Sequence, residues 1–219
     1  MPELRVAHRT SPTNIGMGLL STLAAHDLGY LRTDRLADRI DGALTTVESL
    51  ERHEGHLLNW YDTVHLAPLA PRYVSTVDSG NLAGSLLALA AGLRRIAERA
   101  DAAEGADDED RLCNGVADTA AVLAESLRAL ERGSHGSTLQ RQACGVALRE
   151  LSALRTALRA ATPARARLDD ARLRFTSLRA TLERIDSSAA AGPEADQARE
   201  WGGALLDALA PPTERPAVA

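Results

Sequence analysis

The sequence predicts an all-α protein, on three observations. Its hydrophobic fraction of 45% is supplied mainly by Ala and Leu, with few β-branched residues, a bias toward helix over strand. Apolar positions recur at alternating spacings of three and four, the period of one helical face. Clusters of Gly, Pro, Ser and Asn interrupt these runs at intervals suited to helices. The expected architecture is a set of helical hairpins followed by an antiparallel helical bundle, with no sheet of three or more strands. A chain of 219 residues fits one large domain, or a domain with an appendage. At that size roughly 70% of the unfolded surface can be buried, so no metal or disulfide is needed for folding.

The first helix follows "TSPTN". Asn14 or Thr13 is the expected N-cap, and Gly29 the stop. A second helix is expected over about residues 33–52, with Leu36, Ile40, Leu44, Val47 and Leu50 on one face. A polar, aromatic loop region follows, about 53–79. A third helix starts near 78–81 and carries Leu82, Leu86, Leu89, Leu93 and Ile96. The stretch "ERADAAEGADDEDR" has no apolar period and reads as a solvated acidic linker over 101–112. Beyond it run three seams. They are Val116, Ala120, Leu123, Leu127, Leu130; then Ala147, Leu151, Leu154, Leu158; then Leu168, Ala171, Phe175, Leu178, Leu182, Ile185. Breaks fall at "GSHGS" and at Pro163, and a short last helix is expected around Trp201. This makes about seven helices. The domains are then 1–100 (hairpins with polar loops), 101–112 (linker), 113–209 (bundle) and 210–219 (disordered tail).

Composition narrows the function. The net charge is −5 and no basic run or stripe occurs, which argues against nucleic acid. Cys113 and Cys144 lie far apart in no metal-ligand pattern; a reducing compartment is the simpler reading, with a Cys113–Cys144 pair left open. No segment reaches the ~18 uninterrupted apolar residues of a membrane span. "MPELRVAHRT" lacks the apolar core of a signal peptide, so the expected location is cytoplasmic.

Specific chemistry concentrates in "HLLNWYDTVHLAPLAPRYVSTVDSGNLAG", which holds Trp60, Tyr61 and Tyr73, three of the chain's six aromatics. One reading makes Trp60 and Tyr61 a cap on the core, with Asn59 and Asp62 fixing the turn. The other makes the stretch a sugar platform. Aromatic rings would pack on the apolar faces of pyranoses, while Asn59, Asp62, Arg72, Asp78, Ser79 and Asn81 bind hydroxyls. Asp62 and Asp78 are weak candidates for a glycosidase carboxylate pair, although Asp78 sits where a helix cap is expected. "HEGH" falls one residue short of the zinc motif H-E-x-x-H, so His53, His56 and His65 define no metal site. Ser11, Ser75 and Ser79 lack a nucleophile-elbow context. "NIGMG" and "DSGNLAG" lack the preceding strand of a phosphate loop, so Gly16, Gly18, Gly80 and Gly84 read as packing or capping positions. No cofactor is implied.

Three long motifs, "AHRTSPTNIGMGLLSTLAAHDLGYL", "HLLNWYDT" and "PRYVSTVDSGNLAGSLLAL", resemble a block in the central, glucoamylase-like transglycosylase region of cyclic β-1,2-glucan synthases. These are very large bacterial membrane enzymes. The resemblance covers about residues 6–93. It implies an (α/α)6-type toroid whose loops at one end line a glycan cleft, with "TSPTN", "NWYDT" and "YVSTVDSGN" as three of those loops. On that basis the lining or bracing residues are Thr10, Ser11, Thr13, Asn14, Asn59, Trp60, Tyr61, Asp62, Arg72, Tyr73, Ser75, Asp78, Ser79 and Asn81, and the partner is a β-glucan oligosaccharide or polysaccharide. A whole toroid needs twelve helices. The membrane spans and nucleotide-sugar domain of the family are absent, and its catalytic carboxylates are expected downstream. The leading expectation is therefore a piece of a β-1,2-glucan-processing enzyme whose parent is membrane-associated, with the remainder of that enzyme as a further partner. The alternatives are a non-catalytic helical binding or scaffold module, and a small β-glucan hydrolase using Asp62 and Asp78.

Overall fold

A computed structural model describes residues 7–101, 105–133, 138–188 and 192–210. Among them the chain forms seven helices: α1 (Pro12–Asp27), α2 (Thr33–Ser49), α3 (Thr76–Asp101), α4 (Gly105–Arg132), α5 (Thr138–Leu158), α6 (Ala164–Ser188) and α7 (Pro193–Leu209). Four two-residue strands complete the list: β1 (Arg9–Thr10), β2 (Arg52–His53), β3 (His56–Leu57) and β4 (Tyr61–Asp62). β1 pairs antiparallel with β4, and β2 with β3, each as a separate two-stranded ladder. The mostly helical expectation holds, with these short ladders added where the sequence suggested only loop. The chain divides into two compact units, residues 1–26 with 35–103, and residues 27–34 with 104–219.

In the first unit α1 and α3 lie side by side. A Cβ on Gly16 would come within 2.6 Å of Ser85 Oγ, and one on Gly92 within 2.5 Å of Leu23 Cδ2. Residue 16 faces 85 and residue 23 faces 92, so the two helices run parallel. Their N-termini therefore open at the same end. A small core gathers there, of Leu50, Leu57, Leu58 and Tyr61, with Ile15, Val47, Val74 and Leu82 packed against it. Leu36, Ile40 and Leu50 are buried as their spacing predicts; Leu86 departs from its stripe and is 37% exposed.

Tyr61 is the keystone of that core. It is fully buried. Its hydroxyl accepts from Leu58 N–H and donates to the Glu51 carbonyl, both at 2.7 Å. Burial raises its pKa. With no exposed surface, the ring takes the core-capping place that one reading of its motif gave it. Tyr61→Phe should destabilise the protein by about 1–3 kcal/mol, since it strands the buried Leu58 N–H and removes the bond to the Glu51 carbonyl. Urea unfolding measures this, and a near-neutral value would remove Tyr61 from its structural role.

The second unit is the bundle. Val116, Ala120, Leu123 and Leu127 of α4, the α5 seam, and Leu168, Ala171, Phe175, Leu178 and Ile185 of α6 form one core, which Ala198, Leu205, Ala208 and Leu209 of α7 complete. Cys113 and Cys144 are buried in it as free thiols, and desolvation raises the pKa of both. α7 is longer than expected, at 17 residues. The segment read as a linker is helical from Gly105 onward, while 102–104 lie outside the described residues. Two of its acidic side chains pair with α6: Glu109 accepts from Arg165 at 3.2 Å, and Asp110 pairs with Arg167. The expected tail lies outside the described residues beyond Ala210. Residues 27–34 belong to this unit and press on α4, where Gly29 packs backbone to backbone against Arg111 and Gly115. Arg32 pairs with Asp34 and donates to the Ala210 carbonyl.

Candidate functional site

The two parallel helix N-termini of the first unit are built alike. Ser11 caps α1, its Oγ accepting from Asn14 N–H at 3.3 Å, and Pro12 occupies the first helical position. Ser75 caps α3 in the same way, accepting from Asp78 N–H at 3.2 Å. Both caps come earlier than the sequence suggested, at Ser11 instead of Thr13 or Asn14, and at Ser75 instead of 78–81. Pro12 explains the first, because its missing N–H is one that no helix start uses.

Asp78 ties the two ends together. Its Oδ1 accepts from Thr13 Oγ1 at 2.6 Å, and Thr13 Oγ1 accepts in turn from Asn81 Nδ2 at 3.1 Å. The carboxyl is held below its usual pKa by the Ser75 and Thr13 hydroxyls first, then by Thr13 N–H and the Ser11 hydroxyl. Two helix N-termini also direct positive dipole ends toward it. The Asn59 amide joins this network. Oriented so that both its ends are satisfied, it donates to Asp78 Oδ2 at 3.0 Å and accepts from Tyr73 Oη at 2.7 Å and Trp60 Nε1 at 2.5 Å. Asn59 N–H also donates to the Tyr73 carbonyl at 2.9 Å. Residues from "TSPTN", "NWYDT" and "YVSTVDSGN" thus converge on one carboxylate.

The remaining expected residues divide. Trp60 is half-buried, and the Arg9 guanidinium lies over its ring, 4.8 Å from the centroid. Tyr73 is 48% exposed. Arg72 is exposed and pairs with Glu51. Thr10 sits in β1 opposite Tyr61. Asn14 is exposed, and Ser79 lies in the first turn of α3, its N–H donating to the Ser75 carbonyl. Asp62 does different work from Asp78. It closes a turn, accepting from Val64 N–H at 2.8 Å and His65 N–H at 2.7 Å, and its imidazole neighbour His65 is 3.2 Å away. Those two backbone donors, His65 first, lower its pKa. Both aspartates are therefore stabilised as anions and poorly suited to deliver a proton at neutral pH.

His53 and His56 face each other across the β2–β3 ladder, both exposed, with Glu54 and Gly55 at positive φ in the turn between them. Among the described residues no group of three or more His, Cys, Asp or Glu side chains is placed to hold a metal ion. Beside Tyr73 opens a polar pocket of about 410 Å³, lined by Glu51, Arg52, His53, Leu58, Arg72 and Tyr73. The motif reading missed Glu51, Arg52 and Arg9; the charged run "ERH" one residue past α2 was a signal for the first two. A second, apolar cavity of about 230 Å³ lies within the bundle between α4, α6 and α7. Its walls include Leu127, Phe175, Leu182 and Leu206, with the charged side chains of Arg179, Glu183 and Arg199 also along it.

No helix among the described residues is long and apolar enough to cross a membrane. No family model matches the chain. The cyclic beta-(1,2)-glucan synthase NdvB of Rhizobium meliloti (strain 1021) is 43% identical to it over 129 residues, which is 59% of this chain and 4% of that much larger protein.

Proposed function

We propose that the chain is a segment of an enzyme that processes β-1,2-glucan, and that the loops around Asp78 form one wall of its glycan cleft. The observation that carries this reading is the convergence of three polar and aromatic loops at the N-terminal ends of α1 and α3. Parallel helices separated by one intervening helix are the spacing that alternate helices take in an (α/α)6 toroid, and three helices account for part of such a ring. The likeness to a cyclic β-(1,2)-glucan synthase supplies the substrate class. Within that cleft the chain would bind and orient sugar. The transferring chemistry, which passes through an oxocarbenium-like transition state between two carboxylates, would belong to other parts of the enzyme, because Asp62 and Asp78 are each committed to backbone or hydroxyl donors.

A one-walled cleft buries little of a sugar, so binding should be weak. Short linear β-1,2-gluco-oligosaccharides are expected to saturate the protein at roughly millimolar Kd, about −4 kcal/mol. Titration followed by calorimetry or amide chemical shifts measures it. Tyr73→Ala should abolish most of the response, and Trp201→Ala, in the bundle, should not. Absence of saturable binding to the intact chain would overturn the reading.

A further inference from the structure

We infer that the open pocket beside Tyr73 is a saccharide subsite in which Glu51, Arg52, His53 and Arg72 bind sugar hydroxyls while the Tyr73 ring packs on the sugar face. The inference rests on the glycan reading above and makes Tyr73, rather than Trp60, the aromatic platform. The Trp60 ring is covered by Arg9, and its indole N–H is taken by Asn59. Tyr73 has nearly half of its surface exposed, and its hydroxyl is anchored by Asn59, which fixes the ring without covering it.

The pocket beside that ring, at about 410 Å³, falls within the ~300–1,000 Å³ typical of small-ligand sites. Its chemistry favours a neutral polyol. The Arg72 guanidinium is already neutralised by the Glu51 carboxylate. That carboxylate disfavours an anion, yet accepts readily from a hydroxyl. Arg52 makes only long hydrogen bonds, 3.4 Å to the Gly55 carbonyl and 3.3 Å to the Val47 carbonyl, and keeps donors to spare. The exposed His53 ring adds a further donor or acceptor. A carboxylate beside two guanidiniums can accept from one hydroxyl of a vicinal diol while donating to its neighbour. That pattern suits a vicinal diol of a sugar.

Short linear β-1,2-gluco-oligosaccharides, titrated into the full chain, test this. Glu51→Gln, Arg52→Gln and His53→Ala alter exposed side chains, so thermal melts should stay close to wild type. Glu51→Gln and Arg52→Gln should each weaken binding about tenfold, the expected loss for a hydrogen bond to a charged group. Wild-type affinity in all three variants would overturn the subsite while leaving the glycan reading intact. Inorganic phosphate displacing the oligosaccharide would overturn the saccharide assignment in favour of an anion site. No saturable oligosaccharide binding by the wild type would overturn both readings together.

Discussion

Gly115→Ala should cost about 4 kcal/mol or more and abolish the cooperative melt of the helical bundle. A Cβ at residue 115 would lie 2.0 Å from the Gly29 carbonyl oxygen and 2.8 Å from Tyr30 N. Both obstacles are backbone, so no rotamer change relieves the clash. Gly29→Ala should be as severe. Its φ of +80° is one that side chains with a Cβ rarely adopt, and its Cβ would meet the Arg111 carbonyl at 1.9 Å. Losses of this size are unusual for a single added methyl, and they arise here from two chain segments in direct contact. Gly84→Ala is the matched control. Nothing lies within 4 Å of its Cβ position on α3, so the change should be neutral or should stabilise by roughly 0.5–1 kcal/mol through helix propensity. Thermal and urea unfolding by circular dichroism separate the three. A Gly115→Ala protein as stable as wild type would mean that residues 27–34 do not pack on α4 in solution.

Asp78→Asn should cost about 2–4 kcal/mol, through the loss of a charge that several donors share. The carboxylate receives hydroxyl and amide donors from Thr13, Ser11, Ser75 and Asn59. An amide in its place removes the charge and turns two N–H donors toward other donors. Acid sensitivity should change as well. Asp78 has a folded pKa below its unfolded value of about 3.9. Its stabilising contribution is therefore complete above that unfolded value, and is lost as pH falls through the lower folded value. Unfolding free energies measured from neutral pH down to strongly acid should fall less steeply for Asp78→Asn than for wild type. A variant as stable as wild type at neutral pH, with the same acid limb, would contradict the network drawn around Asp78.

The bundle was legible because helical periodicity reports burial directly. Leu123 and Leu127 were expected on one seam and Leu151, Leu154 and Leu158 on the next, and all are buried at 0% exposure. The acidic stretch before it misled because its partners are remote. Glu109 and Asp110 meet Arg165 and Arg167, 56 and 57 residues along the chain, and no local pattern announces that. At the candidate site the meeting of three loops was legible through their resemblance to a known block. The division of labour inside them was not. Trp60 and Tyr61 are neighbours at a two-residue strand, too short for alternation to reveal which ring turns inward; the structure buries Tyr61 and leaves Trp60 half exposed under Arg9. The two candidate acids were likewise indistinguishable as letters. Only their donors separate them, Asp62 closing a local turn and Asp78 joining two helices.

The excursion of residues 27–34 makes the two units inseparable by a single cut. The polypeptide leaves the first unit at the end of α1, packs Gly29 and Tyr30 against α4, and re-enters the first unit within the first turn of α2. Severing the backbone between α3 and α4 would leave those residues attached to the N-terminal piece and still seated against Arg111 and Gly115 of the C-terminal piece. The two pieces would behave as a noncovalent heterodimer. The bundle expressed alone would lack the strand of backbone that fills the recess at Gly115, and the N-terminal unit expressed alone would carry an unpaired stitch. Any division of this chain into modules for shuffling or fusion has to carry Asp27–Asp34 with the bundle, which linear truncation cannot do.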